Sequence, residues 1–331
     1  RTYCITEDNK GQMWFGTKQG LVVLRNNNKG FKTYTTKQGL PSNVIRAIHC
    51  DTNGVMWLGT SDGGLCKIIE TKDSLIIKSY QNDQDKLNSI SNNTVLSIHQ
   101  NNNDYLWLGT FGGGLNKFNI KEEKFTAFTE KDDLSNNVIY GILSDKKDNI
   151  WLSTNKGLSF FNPKTNVVKT YDESDGLQSN EFNNGAYFKS KYGEMFFGGI
   201  NGFNSFFSED ITINRHQAKP LITQFYLFNK PVKIGDNEIL KRHISKVGKI
   251  VLEYRENVIS FEFASIHYSY PLKNKYKYKL ENFDEEWVDV DNIRRANYTN
   301  LDPGKYTFKV VVSNSDGVWS DEIAQVKVLV K

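Results

Sequence analysis

Long apolar runs are missing from this 331-residue chain: nothing approaches the roughly 18 residues of a membrane span. The start at Arg1 offers neither an initiator methionine nor the apolar core of a signal peptide, so the chain reads as a piece of a longer protein. Cysteine is scarce. Cys4, Cys50 and Cys66 form no CxxC pair and have no histidine at ligand spacing, which excludes a disulfide scaffold, argues against zinc, and leaves them as buried thiols. Neither sign of charge dominates, with 42 basic residues against 38 acidic, a net +4. The basic residues are mostly lysines scattered along the chain, whereas a nucleic-acid footprint would cluster them on one face. No nucleic-acid partner is expected.

Catalytic signatures are equally sparse. There is no GxSxG, no HExxH and no EF-hand loop, and Gly112-Gly113-Gly114 lacks the GK[ST] ending of a phosphate loop. No cofactor, metal or catalytic residue is expected, and the fragment is read as non-enzymatic. A carboxylate pair for glycoside hydrolysis would have to be drawn from distant loops, where Asp62, Asp133, Asp175 and Glu181 stand.

Aromatic residues are plentiful, at 13% of a composition that is 38% hydrophobic, and the length suggests two globular domains. The aromatics repeat. Trp14-Phe15-Gly16-Thr17, Trp57-Leu58-Gly59-Thr60, Trp107-Leu108-Gly109-Thr110 and Trp151-Leu152-Ser153-Thr154 recur, with Phe196-Phe197-Gly198-Gly199 as a degenerate fifth copy, at spacings of 43, 50, 44 and 45 residues. Six residues before each anchor sits a turn former, Asp8, Asp51, Asn101, Asp145 or Ser190. Behind each anchor comes a glycine-hydrophobic step: Gly20-Leu21, Gly64-Leu65, Gly114-Leu115, Gly157-Leu158 and Gly202-Phe203. Four short strands per repeat of about 45 residues, with one buried aromatic each, is the pattern of a β-propeller blade. Trp14, Trp57, Trp107, Trp151 and Phe196 are then expected between neighbouring blades. The fifth repeat leaves through Asp210-Ile211-Thr212-Ile213 without an evident fourth strand, so further blades are expected in a larger parent propeller.

The repeat stops after Asn214, placing a propeller domain at 1–214 and a second domain at 215–331, with Arg215–Pro220 as linker. About seven alternating strands with turn signals at Asp302-Pro303-Gly304 and Ser315-Asp316-Gly317 suggest an immunoglobulin-like β-sandwich lacking the Cys-Trp-Cys pattern. The fold class is all-β throughout.

These residues carry a resemblance. The repeats resemble the two-component-regulator propeller repeat. Tyr276-Lys277-Tyr278-Lys279-Leu280, Trp287, Tyr298-Thr299-Asn300-Leu301, Pro303-Gly304-Lys305-Tyr306 and Asn314-Ser315-Asp316-Gly317-Val318-Trp319 resemble the domain named for three tyrosines, here Tyr278, Tyr298 and Tyr306. The resemblance implies the periplasmic sensor region of a hybrid two-component histidine kinase of the Bacteroidetes type, anchored in the inner membrane, sensing an oligosaccharide and dimerising through its β-sandwich. A secreted propeller enzyme or an adhesin acting on polysaccharide is the alternative of a different class.

Positions that vary between repeats are the better ligand candidates, because capping chemistry explains what repeats. The loops leading into the innermost strands read Pro41-Ser42-Asn43, Ser91-Asn92-Asn93, Ser135-Asn136-Asn137 and Ser179-Asn180-Glu181, which is turn chemistry. Eleven residues before the anchor stand Arg46, Leu96, Tyr140 and Gly185, and the turns after it carry Lys18, Asp62, Phe111, Asn155 and Asn201. From these, Lys18, Arg46, Asp62, Phe111, Tyr140, Asn155 and Asn201 are taken as ligand-binding candidates, with the rings suited to stacking on a sugar.

Overall fold

The computed structural model describes residues 1–25, 30–70, 75–212, 214–290 and 293–331, which fall into two compact units, Arg1–Ile211 and Thr212–Lys331. In the first unit four antiparallel four-stranded sheets follow one another. They are β1–β4 (Thr2–Glu7, Met13–Thr17, Gly20–Leu24, Phe31–Tyr34), β5–β8 (Ile45–Cys50, Met56–Thr60, Leu65–Glu70, Leu75–Tyr80), β9–β12 (Val95–His99, Tyr105–Thr110, Leu115–Asn119, Lys124–Phe128) and β13–β16 (Ile139–Ser144, Ile150–Thr154, Gly157–Asn162, Val167–Tyr171). A fifth sheet has three strands, β17–β19 (Phe182–Lys189, Met195–Gly199, Gly202–Phe206). Among the described residues no fourth strand pairs with β19, and Ile213 of the departing segment lies outside them. The first strands of successive blades, β1, β5, β9, β13 and β17, pack against one another and form the inner layer.

Each part of the repeated motif has a physical task. The turn aspartate holds the anchor: Asp8 and Asp51 each accept a bond from the indole Nε1 of Trp14 (2.9 Å) and Trp57 (3.1 Å). In the fourth blade Ser208 intervenes, accepting from Trp151 Nε1 and donating to Asp145. The motif glycine admits the next blade, since a Cβ on Gly59 would lie 2.8 Å from the Val95 carbonyl oxygen of β9. The motif threonine closes the following hairpin: Thr60 Oγ1 donates to the Gly64 carbonyl and accepts from Gly63 N–H, both at 2.9 Å. After the outermost strands β4, β12 and β16, capping boxes at Thr35/Gln38, Thr129/Asp132 and Asp172/Asp175 turn the chain back inward. The connection after β8 is instead a longer loop over residues 81–94, which accounts for the 50-residue spacing there.

Trp14, Trp57, Trp107 and Trp151 are all at most 2% exposed and lie in the clusters that join one blade to the next. Phe196 does not share this placement: it is half-buried, while its neighbour Phe197 is fully buried. The face that carries Phe196 also leaves Phe188 and Phe203 exposed, because no blade follows the fifth in this chain to cover it.

Among the described residues the second unit has nine strands: β20 (Lys219–Leu227), β21 (Lys230–Pro231), β22 (Lys249–Leu252), β23 (Ile259–Ile266), β24 (Tyr276–Glu281), β25 (Val288–Val290), β26 (Arg295–Tyr298), β27 (Gly304–Val312) and β28 (Ala324–Val330). They form two sheets, β21-β20-β23-β26 and β22-β28-β27-β24-β25, that share one core, with Phe261 of the first stacked on Phe308 of the second at 4.2 Å. Among the named strands of this unit all pairings are antiparallel except that of β22 with β28, which is parallel. Among the named tyrosines, Tyr306 donates to the Asp302 carbonyl four residues upstream, the corner arrangement, and Tyr298 donates to the Asp284 carboxylate at 2.8 Å. The Tyr278 ring packs against Phe263 and Phe308. Trp287, one of the residues that carry the family resemblance, is 38% exposed.

Candidate functional site

Every inner strand of the propeller unit carries an irregularity near its start. The register with the second strand slips between Thr2 and Cys4, Ile45 and Ala47, Val95 and Ser97, and Ile139 and Gly141, leaving one unpaired residue in each bulge: Tyr3, Arg46, Leu96 and Tyr140. In β17 the slip is wider, from Phe182 to Tyr187. A bulge redirects one side chain without disturbing the rest of the strand. The positions eleven before each anchor, where the repeats differ most in chemistry, are these bulge residues.

A cavity of about 270 Å³ opens among them. Arg46 and Ser61 reach it from the second blade, Thr94, Leu96 and Phe111 from the third, Tyr140 from the fourth and Asn184 from the β17 bulge. The Arg46 guanidinium is held on two sides: its Nε donates to Ser61 Oγ at 2.7 Å and its Cζ lies over the Tyr3 ring, 4.4 Å from the ring centre. Ser61 is fixed in turn, with its N–H on the Val44 carbonyl and its own carbonyl accepting from Thr94 Oγ1. Phe111 is bridged to Val138 and is 54% exposed, so its ring is available at the rim. Burial pushes the His99 imidazole, on β9, down to about 4 and the Tyr187 hydroxyl, on β17, up to about 12, which keeps both neutral near pH 7.

The cavity thus gathers Arg46, Phe111 and Tyr140 from the sequence-derived candidates. It does not gather Lys18, Asp62, Asn155 or Asn201, which are exposed turn residues outside it. Ser61, Thr94 and Asn184 were not foreseen, and neither was Tyr3, although it stands at the same offset from Trp14 as Arg46 does from Trp57. The Ser/Asn loops are occupied with the backbone: Asn43, Asn93, Asn137 and Asn180 each accept a backbone N–H at the preceding turn. Among the described residues no Asp or Glu lines the cavity, so Asp62, Asp133, Asp175 and Glu181 stand outside it. Among the described residues no three His, Cys, Asp or Glu side chains gather as a metal site. Cys66 is buried, as expected, but Cys4 and Cys50 are half-buried.

Residues 1–19, 39–62, 89–112 and 133–156 match the two component regulator propeller family, and residues 267–331 match the Y_Y_Y domain. The chain joins these two modules. Its propeller and Y_Y_Y units together are similar to the extracellular domain of a hybrid two component system from B. thetaiotaomicron, at 26% identity and a TM-score of 0.81 over 99% of this chain and 44% of that one. The extracellular domain of a one component system from the same organism shares the fold at 20% identity and a TM-score of 0.52, over 100% of this chain and 56% of that one. Histidine kinase P4 of Formosa agariphila is 29% identical over 329 residues, 97% of this chain and 24% of the kinase. The propeller and Y_Y_Y units thus span about a quarter of that relative and less than half of the first structure. Among the described residues no helix is long and apolar enough to cross a membrane.

Proposed function

We propose that this chain is the periplasmic ligand-sensing part of a hybrid histidine kinase of the inner membrane, and that it binds an oligosaccharide in the cavity at the β-bulges. The similarity to extracellular domains of two-component systems supports the sensor role. The observation that carries the ligand site is the set Tyr3, Arg46, Leu96 and Tyr140: two tyrosines, an arginine and a leucine, each presented by the same bulge on an otherwise repeated scaffold. Tyr140 and Phe111 supply faces for the apolar side of a sugar ring, and Ser61, Thr94 and Asn184 supply groups for its hydroxyls. The volume suits one or two sugar units, near the low end of the roughly 300–1,000 Å³ of ligand pockets.

Signalling in this reading passes through a dimer of the Y_Y_Y units to a membrane span beyond Lys331. The sugar shifts the dimer only if it binds one arrangement more tightly than the other. A hydrolase reading finds no facing carboxyl pair of the kind glycoside cleavage uses at this cavity, since no carboxylate lines it among the described residues. The test is calorimetric titration of the protein with a panel of oligosaccharides. Binding by the wild type that falls at least tenfold in Tyr140→Ala and Phe111→Ala supports the site; binding indifferent to both substitutions places the ligand elsewhere.

A further inference from the structure

We infer that the bulge cavity takes an anionic sugar, and that Arg46 is the residue that reads its charge. This rests on the saccharide-binding reading above and narrows it. Among the described residues lining the cavity, Arg46 alone carries a formal charge. With Nε committed to Ser61 and one face covered by Tyr3, the part of the guanidinium left for a ligand is its pair of Nη groups. Among the described residues no carboxylate lies within ion-pair distance of it.

An arginine that only maintained the fold would be paired or free to extend into water. Here Arg46 is half-buried, oriented by two contacts and without a counter-ion, next to a cavity. That is a preorganised donor. A guanidinium presents parallel N–H groups that match two oxygens of one acid, and such charge-assisted bonds are about twice as strong as neutral ones. The chemistry shared by a uronate carboxylate and a sulfate ester fits this edge, while Leu96, Phe111 and Tyr140 face the ring that carries it. Lysine would not do the same, since an ammonium is a point charge with no planar fork.

The experiment titrates the 331-residue protein with tetrasaccharides of galacturonate, mannuronate and hyaluronate and with sulfated κ-carrageenan tetrasaccharide, each beside its carboxyl-reduced or desulfated counterpart. The expected result is at least tenfold tighter binding of an acidic member than of its neutral counterpart, weakened by added salt. Arg46→Gln removes that preference, lowering affinity for the acidic member at least tenfold more than for its neutral counterpart, and Arg46→Lys restores part of it. If Arg46→Gln is unfolded by thermal melting, Ser61→Ala serves instead, because freeing Nε as well as removing a hydroxyl contact lowers affinity for the acid by a larger factor than for its neutral partner. Preference for a carboxylate or for a sulfate identifies the source of the charge. Equal binding of acidic and neutral members, or a preference that survives Arg46→Gln, overturns the charge inference and leaves the saccharide site standing. No binding by any member of either set overturns both.

Discussion

The indole Nε1 of Trp57 donates to Oδ2 of Asp51 at 3.1 Å, while Oδ1 of the same carboxylate accepts the backbone N–H groups of Asn53 and Val55. One side chain thus closes the hairpin between β5 and β6 and fixes the rotation of the ring that fills the gap between two blades.

Removing that carboxylate strands a buried indole N–H and opens the turn. Asp51→Ala is expected to cost about 3 kcal/mol, and Asp51→Asn about 1 kcal/mol because an amide oxygen can still accept the Asn53 and Val55 N–H groups. Urea unfolding of the two variants checks the order; an alanine variant no less stable than the asparagine one refutes the double role.

The glycine behind each anchor tests the missing strand. Gly114 has φ 74° and a Cβ there would stand 2.0 Å from the Phe128 carbonyl oxygen of β12, so Gly114→Ala meets both strain and a collision with backbone. Gly202, in the three-stranded blade, has φ 120° but nothing within 4 Å of an added Cβ. We expect Gly114→Ala to cost about 3 kcal/mol or more and Gly202→Ala about 1–2 kcal/mol, from strain alone. Equal shifts in denaturation midpoint would contradict the collision.

Alkaline stability follows from the thiols. Burial pushes Cys4 and Cys66 up to about 12 from an ordinary value of 9.0, and burial also raises Cys50. Below pH 9 both folded and unfolded states hold these protons. Above it the unfolded chain releases protons that the folded one keeps, so stability falls as pH rises from about 9 towards 12. Urea midpoints measured from pH 7 to 10.5 read this slope, and Cys66→Ala is expected to flatten it.

The repeats were legible because packing between blades asks the same thing four times, so Trp, Gly and Thr recur wherever an identical contact recurs. Phe196 misled because it occupies the anchor's place in a blade that has no successor here, so the burial that fixes the other four is absent. The ligand candidates divide along similar lines. Arg46 and Tyr140 stood out by differing at a shared offset, yet that offset is a bulge only in three dimensions. Nothing in the alternation of residues announces the extra one. Ser61 and Thr94 look like turn residues and partly are, since one hydroxyl orients Arg46 while the other braces the loop. Lys18, Asp62, Asn155 and Asn201 share the variability of the true lining residues without their position.

The parallel pairing of β22 with β28 has a mechanical side. The last strand is clamped along both edges, by β22 running with it and β27 running against it. A pull along β28 from Lys331 loads both ladders in shear, with every bond sharing the tension, instead of peeling them one at a time. A strand held in this way behaves as a stiff rod: displacement applied at one end arrives at the other before the sheet yields.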